Sequence, residues 1–190
     1  MRQLEEKILA EGTVLPGDIL KVGSFLNQRI DTRLLKAIGV EIARLYEGCG
    51  VTKIMTIEAS GIAIACAAGM EMGVPVLFAK KHRTSNVDGS VYQTIVHSFT
   101  HNEDYNVVIS RDYLDASDHV LLVDDFLARG QALEGMIELV HLAGAQLTGV
   151  AIAIEKCFNG AGDALRRKGV RIESLAMIES MTDGEIVFRS

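Results

Sequence analysis

The sequence predicts an α/β domain with a mostly parallel central sheet and helices on its faces, and three observations favour this class. Apolar segments of strand length alternate along the chain with segments of helical periodicity. Some of the strand-like segments are continuously apolar, as expected of parallel strands that are buried on both faces. The chain has 190 residues, of which 48% are hydrophobic, so one domain can bury about 70% of its unfolded surface.

Two helices are predicted in the first 50 residues. Residues 1–12 carry charged side chains throughout and lack the apolar core of a signal peptide, so they predict a short amphipathic helix. Asp31 caps a second helix, whose apolar residues recur at helical spacing up to Leu45, and a glycine at 48 or 50 ends it. The next predicted elements are a strand, a turn, a helix and a strand, at 52–57, 58–61, 62–72 and 75–81.

Residues 82–104 differ from the rest of the chain because they are polar and contain two turn signals with an alternating stretch between them. This pattern predicts a protruding hairpin or lid. His97 and His101 have the spacing of two metal ligands on a helix. Their stretch alternates like a strand, however, and no third ligand is near in sequence, so exposed lid residues are the favoured interpretation.

The second half of the chain continues the alternation of strands and helices. Strands are predicted at 105–110, 120–123, 146–154 and 170–177, and helices at 130–143 and 161–168. The absence of repeats, linkers and low-complexity segments predicts a single domain over 1–190. Ligands of such sheets bind beyond the carboxyl ends of the strands, so three strand ends stand out: Glu58–Gly61, Asp124–Ala132 and Glu155–Phe158.

Composition excludes some classes of partner. A net charge of −6 and a pI near 5.4 give no overall attraction to nucleic acid or to an anionic membrane. No apolar stretch approaches the roughly 20 residues of a membrane-spanning helix, so a soluble protein is expected. Cys49, Cys66 and Cys157 are widely spaced in apolar surroundings, which favours reduced thiols of a cytoplasmic protein over disulfides, zinc ligands or nucleophiles.

The stretch 120–132, VLLVDDFLARGQA, carries the chemistry. The loop 127–132 follows a strand and opens a helix, so its backbone N–H groups and the helix dipole can hold a phosphate. It matches neither the P-loop of ATPases nor a dinucleotide-binding fingerprint. Asp124 and Asp125 would repel a phosphate but can accept hydrogen bonds from sugar hydroxyls. A sugar phosphate suits both parts of the stretch, with its phosphate on the loop and its hydroxyls on the acids. The alternative is that the acids only end the strand and cap the next turn.

This stretch resembles the motif with which type I phosphoribosyltransferases bind phosphoribosyl pyrophosphate (PRPP). The resemblance extends over nearly the whole chain, through residues 14–31, 57–62 and 151–160. It implies the fold of that family, with a base-binding hood at about 1–35 and a lid at about 82–104. It also implies a purine-salvage enzyme in which a ring nitrogen of xanthine displaces pyrophosphate from C1 of PRPP. Mg²⁺ would be carried by PRPP, and the enzyme would be a cytoplasmic homodimer.

The resemblance also assigns roles to individual residues. Asp124 and Asp125 match the catalytic acids that bind the ribose. The 5-phosphate loop corresponds to Ala128, Arg129, Gly130, Gln131 and Ala132. Pyrophosphate binding is assigned to Glu58, Ala59, Ser60 and Gly61, with Lys80 and Lys81 adding positive charge, and in similar enzymes such a basic residue reaches the neighbouring subunit's site. Xanthine binding is assigned to Leu20, Asn27, Lys156 and Phe158, with the Lys156 ammonium donating to the exocyclic oxygen.

Simpler interpretations stay open for several of these residues. Ser60 could only cap a helix, Asn27 could only cap or turn, Phe158 could be core, and residues 80–83 could be a solvated edge. The family motif often has hydroxyl side chains where this chain has Ala128, Arg129 and Ala132, so a guanidinium and backbone donors would replace them. Phe126 is bulkier than the usual aliphatic residue, which predicts a packing change.

Three other functions are compatible with the same motif. The acceptor could be guanine, hypoxanthine or adenine instead of xanthine. The domain could bind nucleotides without catalysis. It could also be a PRPP-sensing regulator of purine genes, but such proteins carry a DNA-binding domain ahead of this one, whereas here a short helix of mixed charge precedes it in an acidic chain.

Overall fold

The computed structural model describes residues 1–81, 90–98, 103–182 and 184–189, and within them the expected α/β architecture is confirmed. The helices are α1 (Arg2–Glu11), α2 (Thr32–Leu45), α3 (Gly61–Met72), α4 (Gln131–Leu142) and α5 (Ala161–Arg167). The strands are β1 (Thr13–Leu15), β2 (Ile19–Lys21), β3 (Lys53–Ile57), β4 (Val76–Ala79), β5 (Val91–Ser98), β6 (Glu103–Ser110), β7 (His119–Leu127), β8 (Gln146–Lys156), β9 (Ile172–Thr182) and β10 (Glu185–Phe188).

A six-stranded sheet in the order β10-β9-β8-β7-β3-β4 forms the centre of the molecule. All of its neighbouring strands are parallel except β10, which is antiparallel to β9. The chain builds outward from β3 to β4 on one side and from β7 through β9 on the other, so the order reverses between β3 and β7. In open α/β sheets this reversal creates a crevice at the carboxyl ends of the strands.

Apolar layers cover both faces of the sheet. Alternate residues of one strand serve the two layers, because successive side chains point to opposite faces: in β7, Leu121 and Val123 lie in one layer and Val120 and Leu122 in the other. Helices α1, α2 and α3 pack on the first layer, and α4, α5 and part of the β5–β6 hairpin pack on the second. This explains the continuously apolar strands.

Helix α2 begins as expected and ends earlier than expected. The Asp31 side chain accepts hydrogen bonds from the backbone N–H groups of Arg33 and Leu34, at 3.1 and 3.2 Å. The helix ends at Leu45, however, and not beside the glycines at 48 or 50. Tyr46 is the first residue after the helix, and its buried hydroxyl donates to the carbonyl of Val150 at 2.8 Å.

The predicted hood and lid segments both contain short antiparallel ladders. In the hood segment β1 pairs with β2, and a single π-helical turn, Gly23–Asn27, follows. In the lid segment β5 pairs with β6. The ladder runs from the pair of Val91 with Ser110 to the pair of Ser98 with Glu103. This hairpin is not wholly protruding as predicted, because Val96 packs against α4 at Gly135. The rest of the predicted lid, at 82–89 and 99–102, lies outside the described residues.

Candidate functional site

The acidic pair lies inside β7 and not after its end. The strand continues to Leu127, four residues past its predicted limit at Val123. Asp124 is only 8% exposed, and its Oδ1 accepts a hydrogen bond from the backbone N–H of Asp125 at 2.9 Å. Burial and the neighbouring Asp125 raise the pKa of Asp124 well above its usual 3.8, and the Lys81 ammonium opposes this rise. The protein therefore keeps a poorly solvated acid near the carboxyl end of a central strand.

The loop after β7 borders a cavity of about 450 Å³. Residues 128–132 all line it, and α4 begins at Gln131, so the amino end of a 12-residue helix faces this space. Gly130 has φ +90, a left-handed conformation that disfavours any side chain. A Cβ atom on Gly130 would also stand 3.1 Å from the Cβ of Ala161. The local backbone thus requires glycine at position 130.

The other walls of this cavity come from distant parts of the chain. Asp18 belongs to the hood segment, His97 and Tyr105 to the β5–β6 hairpin, and Lys156 to the end of β8. His97, which was expected to be an exposed lid residue, has a side chain that is 39% exposed; it also lines the cavity, with its Nδ1 2.7 Å from Oδ1 of Asp104. His101 lies outside the described residues. Hood, hairpin and strand ends therefore meet at one space, as the resemblance implies.

Tyr105 is a cavity residue that the sequence analysis missed. Burial and the charge of Asp124 raise the pKa of its hydroxyl. The Lys81 ammonium lies 5.6 Å from the centre of its ring, within the range of a cation–π interaction. The only sequence signal was an aromatic residue at the start of a strand, which is too common to indicate a site.

The turn after β3 contacts both the acidic pair and the basic segment. The Glu58–Ala59 peptide bond is cis. Oε1 of Glu58 accepts a hydrogen bond from the backbone N–H of Lys81 at 2.7 Å. A Cβ atom on Gly61 would lie 2.1 Å from Oγ1 of Thr56 and 3.0 Å from Oδ1 of Asp124, so only glycine allows this close approach. Ser60 makes no side-chain capping hydrogen bond to any described residue, which removes the helix-cap alternative.

Lys80 and Lys81, which were assigned together, lie in different surroundings. Lys81 is close enough to the acidic pair to affect the pKa of Asp124. Lys80 instead lines a separate cavity of about 670 Å³, whose walls include Phe78 and Tyr113. Successive residues of an extended segment point to opposite sides, which accounts for the difference. The structure thus brings Lys81, and not Lys80, toward Asp124 and Asp125.

Lys156 occupies the predicted position at the end of β8. Its ammonium donates to the backbone carbonyl of Asp18 at 2.6 Å and lies 5.4 Å from the centre of the Phe126 ring. Burial lowers the pKa of Lys156, and Asp18 opposes this effect. Phe126 therefore does more than change the packing, because its ring face contacts the cation. An ammonium has three N–H donors, so one hydrogen bond to Asp18 leaves others for a ligand.

The other residues assigned to xanthine binding do not line the cavity that Lys156 lines. Leu20 and Asn27 line a different cavity of about 450 Å³, which has no lining residue in common with the one that holds Lys156. Asn27 is nevertheless linked to the acidic pair, since its Nδ2 donates to Oδ2 of Asp125 at 3.2 Å. Phe158 is 37% exposed and lines neither cavity, so the core alternative for it is wrong and its contact with a base is not formed here.

The strand end Glu155–Phe158 contains one residue with a structural role. Glu155 is 1% exposed, and its two carboxylate oxygens accept hydrogen bonds from Arg166 at 2.8 and 2.6 Å. Oε2 also accepts from the hydroxyl of Ser174. Its oxygens are therefore engaged within the fold, and Lys156 is the described residue of this strand end that faces the cavity.

Comparison with known proteins gives consistent results. A family model described as "Phosphoribosyl transferase domain" matches residues 28–171. The chain is 52% identical to a xanthine phosphoribosyltransferase of Bifidobacterium longum (strain NCC 2705) and 48% identical to that of Clostridium novyi (strain NT), in both cases over 100% of each chain.

Solved structures of similar fold are adenine phosphoribosyltransferases. That of Giardia lamblia, complexed with 9-deazaadenine, has a TM-score of 0.76 at 21% identity and covers 90% of this chain and 96% of its own. That of Saccharomyces cerevisiae has a TM-score of 0.73 at 17% identity and covers 92% and 99%. At these identities the likeness concerns the fold.

Proposed function

This chain belongs to the phosphoribosyltransferase family, and from that premise we propose that it transfers the 5-phosphoribosyl group of PRPP to xanthine. The products are xanthosine 5′-monophosphate and pyrophosphate, and the reaction belongs to purine salvage. One observation carries the proposal: the amino end of α4 and Lys156 line one cavity, and the acidic pair lies in β7 directly before Phe126 and Leu127, which line the same cavity. The full-length relatives named for xanthine support this base as acceptor.

In this proposal PRPP lies along the end of β7. Its 5-phosphate binds the backbone N–H groups of residues 128–132, where the positive end of the α4 dipole favours an anion. The ribose hydroxyls donate to Asp124 and Asp125. The pyrophosphate lies at the turn 58–61, near the Lys81 ammonium. The close approach of Gly61 to Asp124 supports this arrangement, because it brings the pyrophosphate turn next to the ribose acids.

The reaction exchanges one bond at C1 of the ribose. The bond from C1 to the pyrophosphate oxygen breaks and its electron pair leaves with pyrophosphate, a bond from a xanthine ring nitrogen to C1 forms, and that nitrogen releases its proton to solvent. Positive charge develops on the sugar as pyrophosphate leaves. The carboxylates of Asp124 and Asp125 stabilise that charge from a site of low dielectric, where an electrostatic interaction is stronger than in water.

Recognition of the base is assigned to Lys156 with the hood segment. The Lys156 ammonium donates to the exocyclic oxygen at C6 while it keeps its hydrogen bond to the Asp18 carbonyl. Leu20, Asn27 and Phe158 complete the assignment. Leu20 and Asn27 line a different cavity from Lys156, and Phe158 lines neither, so the assignment of these three residues to the base rests on the resemblance.

Mg²⁺ enters the proposal bound to PRPP. The site fits a substrate-bound ion, because the oxygens of PRPP and of water can coordinate Mg²⁺, and the described residues contain no group of three or more His, Cys, Asp or Glu side chains that could hold a metal by themselves. When bound, the ion neutralises charge on the leaving pyrophosphate.

A cytoplasmic homodimer is part of the same proposal. Lys80 points away from the acidic pair of its own subunit, which supports the expectation that a basic residue of 80–83 serves the neighbouring site. Sedimentation of the purified protein with and without PRPP tests the assembly. No helix in the described part of the chain is long and apolar enough to cross a membrane.

The function is tested by incubating the protein with Mg²⁺, PRPP and, in parallel, xanthine, guanine, hypoxanthine or adenine, and separating the nucleotide products by chromatography. We expect xanthosine monophosphate to form with the highest kcat/KM. The variant Lys156→Met should lose about 10- to 100-fold in kcat/KM for xanthine, as for a hydrogen bond from a charged donor. The exposed Lys36→Met variant is the matched control. Formation of no nucleotide with any of the four bases would refute the function.

A further inference from the structure

One hydrogen bond connects the two halves of the proposed site. Nδ2 of Asn27 donates to Oδ2 of Asp125 at 3.2 Å, across 98 positions of sequence. Asn27 was assigned to the base and Asp125 to the ribose. Asn27 lines the hood-side cavity, and Asp125 lies in β7 directly before Phe126, which lines the cavity of the phosphate loop, so the hydrogen bond joins an element of each cavity.

The donor is held on a rigid element. Asn27 ends the π-helical turn Gly23–Asn27, whose Phe25 and Leu26 are each 1% exposed in the core. The carbonyl of Phe25 accepts from the N–H of Asp31, the capping residue of α2, at 2.8 Å. The Asn27 backbone is therefore fixed between the core and the start of α2, and its side chain reaches Asp125 from a defined position.

The acceptor needs such a donor. Asp125 follows the buried Asp124, and its own backbone N–H is used by Oδ1 of Asp124. An ionised carboxylate can only accept hydrogen bonds, so the amide must direct its N–H group toward Asp125 and its carbonyl away from it. A donor on one oxygen of Asp125 restricts the rotation of the carboxylate.

We propose that Asn27 is a positioning residue for Asp125, so that the base-binding hood and the ribose-binding acid are energetically coupled through one hydrogen bond. The inference rests on the proposed function and adds to it. It predicts that Asn27 contributes to PRPP binding when no base is present. By thermodynamic linkage, it also predicts that PRPP improves the binding of the base by fixing the same amide.

Calorimetric titration of the full-length protein with PRPP and Mg²⁺, in the absence of any purine, tests the coupling. We expect Asn27→Ala to raise the Kd for PRPP about 3- to 10-fold, within the range of measured couplings between contacting residues. Gln28→Ala is the matched control, because Gln28 is the exposed next residue and is assigned no role in the site. In an Asp125→Ala background, Asn27→Ala should cause no further change in Kd. Thermal unfolding of each variant verifies that it is folded.

The possible outcomes distinguish a failure of this inference from a failure of the proposed function on which it rests. If the unchanged protein binds no PRPP, the proposed function fails. If it binds PRPP and Asn27→Ala leaves the Kd within twofold, Asn27 has no effect on the ribose acid and the inference fails. If Asn27→Ala weakens PRPP binding equally with and without Asp125, the effect does not pass through Asp125, and the inference also fails.

Discussion

At the scale of single residues, the buried acid Asp124 shows a conflict between stability and the proposed function. Its carboxylate is 8% exposed beside a second carboxylate, which is an unfavourable place for a charge. Its Oδ1 accepts a hydrogen bond from the backbone N–H of Asp125. Active sites often retain such groups because the charge is needed by the ligand.

Replacing Asp124 by Asn should therefore stabilise the protein while abolishing activity. The folded-state pKa of Asp124 is raised above the unfolded value near 3.8, so its ionisation costs stability increasingly as the pH rises above that value. We expect Asp124→Asn to raise the free energy of unfolding at pH 8 by on the order of 1 kcal/mol and to have a smaller effect near pH 4. Turnover should fall about a hundredfold or more. Urea denaturation at the two pH values and the nucleotide assay measure these effects.

Asp115→Asn is the control, because its expected effect on stability at pH 8 is opposite in sign to that of Asp124→Asn. Asp115 is exposed and its pKa is lowered by hydrogen bonds from the hydroxyl and backbone N–H of Ser117. That contribution to stability is present above the unfolded pKa and is lost as the pH falls. Removing the Asp115 carboxylate should therefore lower the denaturation midpoint at pH 8. A loss of stability in Asp124→Asn at pH 8 would contradict the interpretation of Asp124 as a destabilising charge.

At the scale of the elements, the α2–α3 contact depends on a glycine. Gly39 is buried in α2, and a Cβ atom there would lie 2.7 Å from backbone atoms of Ala67 in α3. Alanine is favoured over glycine by about 1 kcal/mol in a helix interior, so propensity alone predicts that Gly39→Ala stabilises. The close approach of the two helices predicts the reverse.

We expect Gly39→Ala to reduce the free energy of unfolding by about 1–3 kcal/mol, because the two helices must move apart. Chemical denaturation measures the change. Val40→Ala, at the exposed next position of the same helix, should stay within about 0.5 kcal/mol of the unchanged protein. If Gly39→Ala were more stable, helix propensity would dominate over packing at this contact.

Strand β8 and helix α5 are joined by the buried ion pair of Glu155 and Arg166. Removing one partner of such a pair leaves an uncompensated charge in the interior. We expect Arg166→Ala to cost about 3–5 kcal/mol in the free energy of unfolding, measured by chemical denaturation. Arg167→Ala, at the exposed next position, should cost less than about 0.5 kcal/mol. Equal costs for the two variants would show that the ion pair does not hold these elements together.

At the scale of the whole molecule, the proposed PRPP site joins the hood segment, the hairpin and three strand ends. A ligand that contacts all of them stabilises the folded state in proportion to its binding. At 100 times its Kd, PRPP with Mg²⁺ should add about 2.7 kcal/mol, which corresponds to about 5–10 °C in Tm for a chain of this size. Differential scanning calorimetry measures the shift. A chelator of Mg²⁺ should remove most of it, and an undiminished shift with the chelator would contradict a substrate-bound ion.

The sequence alone predicted features that depend on neighbouring residues. The alternation of strands and helices, the cap at Asp31 and the small-residue loop opening α4 follow from local periodicity, hydrogen bonding and backbone conformation. The motif 120–132 also predicted that acids and a phosphate-binding loop share one strand end. The three- and four-residue strands β1, β2 and β10 were missed, because such short segments carry too little periodicity to detect.

Only the tertiary structure decided which distant residues meet. It brought the Asp18 carbonyl to Lys156 across 138 positions and Asn27 to Asp125 across 98. It also directed Lys81 toward the acidic pair and Lys80 toward another cavity, although the two are adjacent in sequence. The physical reason is that sequence patterns record the environment of a residue along its own element, whereas the partners of a side chain depend on how the sheet, the hood segment and the hairpin pack together.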